Sequence, residues 1–292
     1  MINASKMDSN EGILTSTITP RLTPIHRTIK PFLKWAGGKT QIIDSLLRYS
    51  PATFNKYIEP FVGGGALFFH LTPLRAIISD LNEELIITYQ EVRNNVHEII
   101  SILETYKNEE YFYYKIRKLN PASLTRQERA ARVIYLNKTC FNGLFRVNRK
   151  GEFNVPFGKG KGLFLDKGTL INVSEYLSCT EILHSDYKVI LKKAASKGDF
   201  IFLDPPYLPV GKFADFKRYT KEFFYENDQI ELANIFHHLV RKGCQVILTN
   251  SNHPFIMDLY KGFSIEVIQT KRLISSNPKT RTGNDIVVLG GL

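Results

Sequence analysis

The stretch Phe200-Ile201-Phe202-Leu203-Asp204-Pro205-Pro206-Tyr207 decides the fold class. Four consecutive apolar residues are typical of a strand that is buried on both faces, as in parallel sheets covered by helices. Two prolines then end the strand, because each fixes its own φ angle and removes a backbone donor. Ligands of α/β sheets bind at the carboxyl ends of the strands, which is where Asp204 and Tyr207 lie. The stretch therefore predicts a central strand that brings a carboxylate and an aromatic ring to a binding crevice.

Strand-like and helical segments alternate on both sides of this stretch, which indicates an α/β fold. Short apolar runs predict further strands at 57–58, 76–78, 245–248, 265–268 and 286–289. Apolar residues at helical spacing predict helices that begin near 66 and 82 and a helix over 227–241. Residues 1–30 have no apolar periodicity and are expected to form a flexible tail.

The sequence changes character over about 90–180. Residues 107–161 contain 13 Lys or Arg against 4 Asp or Glu, a local charge of +9 out of +11 for the whole chain. Helical patterns cover 111–119 and 125–139. Apolar residues then alternate at Phe145 and Val147, and the turn residues 148–151 predict a β-hairpin. A solvated basic face is one explanation, but the interleaved aromatic and polar residues favour a nucleic-acid interface.

The composition excludes several classes of protein. The chain has 292 residues, 43% of them hydrophobic, so it has enough apolar surface for a folded core. No apolar stretch is long enough to span a membrane, and the N-terminus lacks the apolar core of a signal peptide. Cys140, Cys179 and Cys244 are too widely spaced for a disulfide framework or a zinc site. We therefore expect a cytoplasmic protein with no metal and no membrane association, and its net charge suggests a polyanionic partner.

Three glycines, Gly63-Gly64-Gly65, lie between a predicted strand and a predicted helix. Glycine permits a tight turn and a close approach of the backbone to a ligand. Asp80 comes at the end of the next strand, where a carboxylate can accept hydrogen bonds from both hydroxyls of a ribose. This pair favours a ligand of nucleoside type, and the lack of a phosphate-loop lysine after the glycines disfavours ATP. A purely structural turn is the alternative.

Two further motifs carry chemistry. The prolines of the central stretch hold its carboxylate, backbone carbonyls and aromatic ring on an extended ledge. Such a ledge can accept both N–H bonds of a planar exocyclic amine and stack on its base, although two prolines can also simply end a strand.

The stretch 31–39 contains the only tryptophan. Its spacing leaves open whether it is a ligand-binding loop or a helix N-terminus with a buried Trp35.

From Pro31 to Leu292 the chain resembles the Dam-like family of DNA adenine-N6 methyltransferases, in particular its GATC-type members. The similar segments are the N-terminal cofactor motif at 32–39, the Gly-rich motif at 59–69, the target-recognition hairpin at 137–157 and the catalytic tetrapeptide at 204–207. The tetrapeptide also occurs in other amino-methyltransferases. The hairpin segment together with 34–39 is highly specific to the family, and the order of the motifs also fits the family's arrangement.

The resemblance implies a Rossmann-like, seven-stranded methyltransferase sheet with an inserted helical and β-hairpin target-recognition domain. The catalytic domain would comprise 31–88 and 180–292, and the DNA target-recognition domain 89–179. S-adenosylmethionine would be the methyl donor. The resemblance assigns cofactor contacts to Trp35, Ala36, Lys39, Phe61, Gly63, Asp80, Asp186, Tyr187 and Asp204.

The resemblance also assigns the catalytic residues, which are Asp204, Pro205, Pro206 and Tyr207. Asp204 and the carbonyl of Pro205 would accept the two N–H bonds of the adenine N6 amine. This would localise the nitrogen lone pair for an attack on the sulfonium methyl group, with no metal involved. An adenine in double-stranded DNA must first be flipped out of the stack, and Tyr207 would then stack on it.

DNA contacts are assigned by the same resemblance to Lys34, Leu144, Arg146, Asn148 and Pro156. Arg146 could bind a guanine edge bidentately, and Leu144 and Pro156 could contact a thymine methyl group. Four further basic residues would contact phosphates, which position the protein without specifying sequence: Arg149, Lys150, Lys159 and Lys161. These matches suggest GATC as the target. One departure is Lys159-Gly160-Lys161-Gly162, where some members of the family have an aromatic residue.

Several alternatives share part of this pattern. The same chemistry could act on a different DNA sequence or on RNA, but A-form RNA hides the groove that a hairpin would enter. Cytosine-amine methyltransferases more often have a serine in place of Asp204. A DNA-binding module without catalysis would have no need of the intact catalytic positions. We expect an enzyme that is a monomer in solution and associates with the nucleoid through DNA.

Overall fold

The computed structural model describes residues 29–35, 37–143, 145–148, 151–160, 162–208, 224–271 and 282–292. The predicted contacts at Ala36 and Leu144 and nearly all of the predicted tail lie outside these residues.

The described strands form one sheet in the order β3-β2-β1-β4-β5-β7-β6. They are β1 Tyr57–Glu59, β2 Ala76–Asp80, β3 Thr180–His184, β4 Phe200–Leu203, β5 Gln245–Ser251, β6 Ser264–Lys271 and β7 Thr282–Gly290. The strands from β3 to β5 are parallel, and β7 runs antiparallel between β5 and β6. The predicted seven-stranded, Rossmann-like α/β sheet is thus confirmed. β3 is not among the strands predicted from the sequence.

Nine helices flank the sheet in the described ranges. They are α1 Ile43–Tyr49, α2 Ala66–Leu71, α3 Glu83–Glu104, α4 Glu110–Arg117, α5 Arg126–Thr139, α6 Lys167–Leu177, α7 Tyr187–Ala194, α8 Glu226–Arg241 and α9 Pro254–Leu259. α5 begins with a capping box, in which Thr125 and Glu128 each bond the backbone N–H of the other. Within the described part of the chain, every helix is too short or too polar to cross a membrane.

β4 separates two hydrophobic cores, as its continuous apolar sequence predicts. Phe200 and Phe202 pack on one face of the sheet, in the core that includes α3, α5 and α6. Ile201 and Leu203 pack on the other face with α7, α8 and α9. None of the four side chains is more than 1% exposed. The strand that carries Asp204 is therefore held rigidly from both sides.

The predicted recognition segment 89–179 packs closely against the sheet. α3 runs across the predicted boundary at 88/89, and both α5 and α6 pack against α3. Phe145 and Phe153 belong to the same core as Phe200. The described part of the segment thus shares a core with the sheet, and its division from the catalytic domain stays a prediction.

Three arginines of α5 form hydrogen bonds within the protein. Arg126 donates to Glu91 of α3 at 2.7 Å. Arg129 donates to Glu84, which is also on α3, at 2.9 Å. Arg132, which is 5% exposed, donates to the carbonyls of the last two residues of α4 at 3.1 and 2.8 Å, where a cation is favourable. Part of the local charge of +9 therefore holds α3, α4 and α5 together, and the charge count alone overstates the basic surface.

Candidate active site and nucleic-acid interface

Asp204 follows β4 directly and is held by side chains from two other segments. Lys39 begins the 3-10 turn Lys39–Ile42, and its Nζ lies 2.6 Å from each Asp204 oxygen. Thr249, on β5, donates its hydroxyl to Oδ1 of Asp204 at 2.7 Å. The Asp204 side chain is 19% exposed. The carboxylate is thus fixed in orientation and still reaches solvent.

Lys39 connects the N-terminal motif to the catalytic tetrapeptide. Its Nζ also donates to the carbonyl of Gly37 at 2.7 Å and lies 4.9 Å from the centre of the Tyr207 ring. Burial alone would lower the pKa of Lys39, but the charge of Asp204 and the hydrogen bond to it raise that pKa above its ordinary value. Lys39, predicted as a cofactor contact, therefore places a lasting positive charge between Asp204 and Tyr207.

The two prolines differ in their surroundings. Pro205 is buried and Pro206 is exposed. The carbonyl of Pro206 accepts a hydrogen bond from Gln229 of α8 at 3.0 Å. Among the described residues, none donates to the carbonyl of Pro205. The ledge thus has one carbonyl that the protein holds and one with free acceptor capacity.

Asp80 holds the Gly-rich turn. Its Oδ2 accepts from the backbone N–H of Gly63 at 3.1 Å, and its Oδ1 accepts from that of Asn82 at 2.9 Å. A carboxylate has about four acceptor positions, so capacity for ribose hydroxyls remains. Gly63 has a φ of +46°, and a Cβ there would lie 2.8 Å from Cδ1 of Trp35. The close approach that requires glycine at 63 is therefore an approach to Trp35 within the chain.

Glu59 is a buried acid that the sequence analysis does not single out. It ends β1, is 2% exposed and accepts a hydrogen bond from the Tyr57 hydroxyl at 2.8 Å. Burial raises the pKa of Glu59 well above its ordinary value, and the charges of Asp204 and Asp80 add to this. A carboxyl group in the predicted Gly-rich motif is the signal that could have identified it.

Aromatic rings cluster beside the Gly-rich turn. The Phe61 and Tyr187 rings lie 5.1 Å apart, and the Phe224 ring lies 6.2 and 6.1 Å from them. Phe61 and Tyr187 are both predicted cofactor contacts, whereas Phe224 is an addition from the structure. Asp186 caps α7 by accepting from the backbone N–H of Lys188 at 2.7 Å, which is a structural role beside its predicted one.

The predicted hairpin is present in the described residues as short antiparallel pairings. Val147 pairs with Phe153, and the backbone N–H of Asn154 donates to the carbonyl of Arg146 at 3.1 Å. The Nε of Arg146 also donates to the side chain of Asn154 at 2.8 Å. Asn148 donates its side-chain amide to Glu152 at 2.7 Å. Arg146 and Asn148 are half-buried, and Pro156 is exposed.

The hairpin and the N-terminal motif meet at a defined junction. The indole of Trp35 stacks on the Phe145 ring, with centroids 4.6 Å apart and planes 19° apart. The buried side chain of Asn137 accepts from the backbone N–H of Lys34 at 2.9 Å and donates to its carbonyl at 2.6 Å. The side chain of Lys34 is exposed beside Gly143. The structure therefore brings the predicted cofactor and DNA contacts into neighbouring positions.

A metal centre has no support in the parts of the chain that the structure describes. No group of three or more His, Cys, Asp or Glu side chains there has an arrangement that could hold a metal ion. The arrangement instead combines a held carboxylate, a nearby cation, a carbonyl acceptor and several aromatic rings. Such a set can orient an amine and stack on planar rings.

Comparison with known proteins identifies the family of the chain. Residues 35–274 match the family described as D12 class N6 adenine-specific DNA methyltransferase. The chain is 41% identical to the type II methyltransferase M.MjaIII of Methanocaldococcus jannaschii over 270 residues, which cover 85% of this chain and 93% of that protein. It is 38% identical to the type II methyltransferase M1.LlaDCHI of Lactococcus lactis subsp. cremoris, over 87% and 92% of the two chains. It is also 34% identical to the DNA adenine methylase of Serratia marcescens, over 85% and 93%. The chain therefore belongs to the D12 class of N6 adenine-specific DNA methyltransferases.

Proposed function

We propose that this adenine-specific DNA methyltransferase uses S-adenosylmethionine to methylate the N6 amine of a flipped adenine, in the duplex sequence GATC. The observation that carries the proposal is the partly exposed carboxylate of Asp204 at the end of β4, next to the carbonyl of Pro205, to which none of the described residues donates. The target amine has two N–H bonds, and these two acceptors match them.

The chemistry of the amine explains why two acceptors are needed. The lone pair of adenine N6 is delocalised into the ring, so the nitrogen is a weak nucleophile. Acceptance of both N–H bonds by Asp204 and Pro205 favours a pyramidal nitrogen with a localised lone pair. Lys39 and Thr249 use only part of the acceptor capacity of Asp204. Fixed groups that are aimed at developing charge supply most of the rate in such reactions.

The residues around the Gly-rich turn fit a nucleoside-type cofactor. Asp80 has acceptor capacity left for ribose hydroxyls, and the Phe61 and Tyr187 rings offer a surface for an adenine ring. Trp35 and Gly63 border the same turn. When bound, S-adenosylmethionine supplies an electrophilic methyl group on its sulfonium. The predicted contacts at Ala36 and Asp186 remain part of the proposal.

A target adenine has to leave the duplex stack before it reaches Asp204. Flipping costs a few kcal/mol, and stacking on the partly buried ring of Tyr207 would recover roughly 1–3 kcal/mol. The Lys39 ammonium lies over that ring, and this cation–π contact favours the observed orientation of Tyr207. The domains proposed for these steps are 31–88 with 180–292 for catalysis and 89–179 for the target, and a monomer would suffice.

Arg146 is the centre of the proposed target recognition. Its Nε is held by Asn154, while no described residue accepts from its two Nη groups. These two groups can donate to O6 and N7 of a guanine in the major groove. Exposed Pro156, together with Leu144, would contact a thymine methyl group, and exposed Lys34 would contact a base. Asn148 would contribute a further DNA contact.

The test is expression of the full chain in a host that lacks adenine methylation, followed by sequencing of modified bases in its DNA. We expect N6-methyladenine in GATC and in no other sequence, and none with the matched variant Asp204→Ala. Methyladenine in another sequence would contradict the target. Transfer of label from tritiated S-adenosylmethionine to RNA in preference to duplex DNA would contradict the proposed DNA substrate.

A further inference from the structure

The carboxyl end of β5 extends past the end of β4. The two parallel strands pair from Phe200 opposite Gln245 to Leu203 opposite Leu248. The next three residues of β5, Thr249-Asn250-Ser251, continue to pair with β7 on their other side. Pro205 and Pro206 have no backbone N–H to donate to β5, and the ladder between the two strands ends at Leu203. The segment after β4 therefore depends on side chains for its position.

The side chains of 249–251 take over from the backbone ladder. Thr249 donates to Asp204, as described above. Ser251 donates its hydroxyl to the carbonyl of Leu208 at 3.1 Å. Asn250 donates to Oε1 of Gln229 at 2.9 Å, and Nε2 of Gln229 donates to the carbonyl of Pro206 at 3.0 Å. The three residues thus hold the start, the middle and the end of the segment 204–208.

Gln229 and Asn250 are both 0% exposed. Each end of the Gln229 amide is bonded, and the Asn250 oxygen accepts from the backbone N–H of Ser251 at 2.8 Å. A buried amide pair with satisfied partners restricts the geometry to one arrangement, because any shift leaves a buried polar group unpaired. An apolar pair of the same size would fill the space without fixing the carbonyl of Pro206.

We propose that Gln229, oriented by Asn250, is a positioning residue for methyl transfer. It fixes the carbonyl of Pro206 and so sets where the neighbouring carbonyl of Pro205 meets the target amine. The inference rests on the proposed roles of Asp204 and Pro205. Displacement of a reacting group by about 1 Å can cost roughly 100-fold in rate, so this bond acts on kcat and leaves ligand binding unchanged.

The test compares Gln229→Met with a matched control, Gln90→Met. Gln90 also donates its Nε2 to a backbone carbonyl at 3.0 Å, that of Ile182, and also accepts a hydrogen bond, from Arg126, but it lies on α3 away from Asp204. We expect Gln229→Met to lower the single-turnover rate by roughly 10–100-fold with KM for DNA within about threefold. Gln90→Met should keep a rate within about threefold of the unmodified enzyme. Equal rates for the two variants would overturn the proposal.

A second variant, Gln229→Glu, separates positioning from structural support. A neutral glutamic acid can still donate to Pro206, whereas its ionised form has no donor. The rate of Gln229→Glu should therefore fall as pH rises, while Gln90→Glu follows the unmodified profile. If Gln229→Met no longer unfolds in a cooperative transition, the pH profile of Gln229→Glu alone tests the inference. A profile parallel to that of the unmodified enzyme overturns the inference. Full turnover by Asp204→Ala would instead overturn the proposed function.

Discussion

The sheet edge at Asp204 and the hairpin at 145–157 hold their functional side chains in different ways. At the edge, side chains from β5, α8 and the N-terminal motif converge on five residues, and most of these side chains are buried. In the hairpin, Arg146 is held by Asn154 of the same hairpin. The part of the hairpin that contains Val155 is fixed to α4, because the Val155 carbonyl accepts hydrogen bonds from two side chains of that helix. The side chains at the edge are held by distant segments, whereas Arg146 is held from within its own hairpin. The hairpin as a whole packs into the core shared with the sheet through Phe145 and Phe153.

If the proposed roles are correct, this difference separates chemistry from target reading. A change at the edge disturbs a network that includes two strands and a helix, so it should affect the transfer step for every DNA sequence. A change in the hairpin removes a local contact and should affect the choice of sequence with little effect on the transfer step. Four variants test this contrast.

Asp204→Ala should have the largest effect. It removes an acceptor for the target amine, and loss of one such preorganised group costs about 100–1,000-fold in rate. Since Asp204 is not the main ribose contact, affinity for S-adenosylmethionine should stay within a few-fold, as measured by calorimetry beside a tritium-transfer assay. The control is Asp199→Asn at the opposite end of β4, where Asp199 pairs with Lys56 at 3.4 Å. That variant should lose stability and keep turnover, and a loss of turnover as large as that of Asp204→Ala would contradict the contrast.

Arg146→Ala should weaken target discrimination. A bidentate contact to guanine is worth about 1–3 kcal/mol, or roughly 5–150-fold in kcat/KM between the right and wrong base. Rates on duplexes with each of the four base pairs at the guanine position should become more equal. Arg146→Lys should behave similarly because lysine lacks the planar fork. Undiminished discrimination in Arg146→Ala would exclude Arg146 as the guanine reader.

Glu59→Gln tests the cost of burying an acid beside Asp204. The pKa of Glu59 in the folded state lies above its ordinary value of 4.5, so its contribution to stability is full below pH 4.5 and is lost as pH rises toward the folded pKa. Glutamine has no carboxyl group to ionise, so Glu59→Gln does not lose stability in this way. Its unfolding free energy should therefore rise relative to that of the unmodified protein, by about 1.4 kcal/mol for each pH unit within that window. Urea unfolding at several pH values measures it, and a constant difference would contradict it.

Lys159→Asn should have the smallest effect. Lys159 is exposed and has a φ of +50°, which asparagine tolerates. Loss of one phosphate contact should reduce the slope of log Kobs against log salt concentration by about 1. Arg129→Gln is the comparison, because Arg129 bonds Glu84. It should lower stability and leave the salt slope unchanged, so equal slopes in the two variants would contradict this division of the basic residues.

Local pattern was enough to predict much of the fold. The apolar run Phe200–Leu203 gives β4 with its observed bounds, and the helical spacing at 125–139 gives α5 within one residue. β3 was not predicted because it alternates and exposes Glu181 and His184, which weakens the apolar signal. Periodicity reports burial along one segment, so it identifies fully buried strands better than strands with exposed side chains.

The partners of the site side chains could not be predicted in the same way. Lys39 and Asp204 are 165 residues apart, and no spacing rule relates them. Gln229 and Thr249 look like ordinary polar residues at the edge of apolar segments. In the sequence, the arginines of α5 are typical of a DNA-binding surface, but in the structure two of them donate to glutamates of α3. Tertiary packing decides these roles, and it acts between segments that have no local relation.

The Trp35–Phe145 stack gives the enzyme a built-in optical probe. Trp35 is the only tryptophan of the chain, and its indole lies between the Gly-rich turn and the recognition hairpin. Fluorescence excited at the indole band should therefore respond to S-adenosylmethionine and to duplex DNA in unlabelled protein. Phe145→Leu should reduce the response to DNA more than the response to S-adenosylmethionine, so that the two titrations can be followed separately in one cuvette.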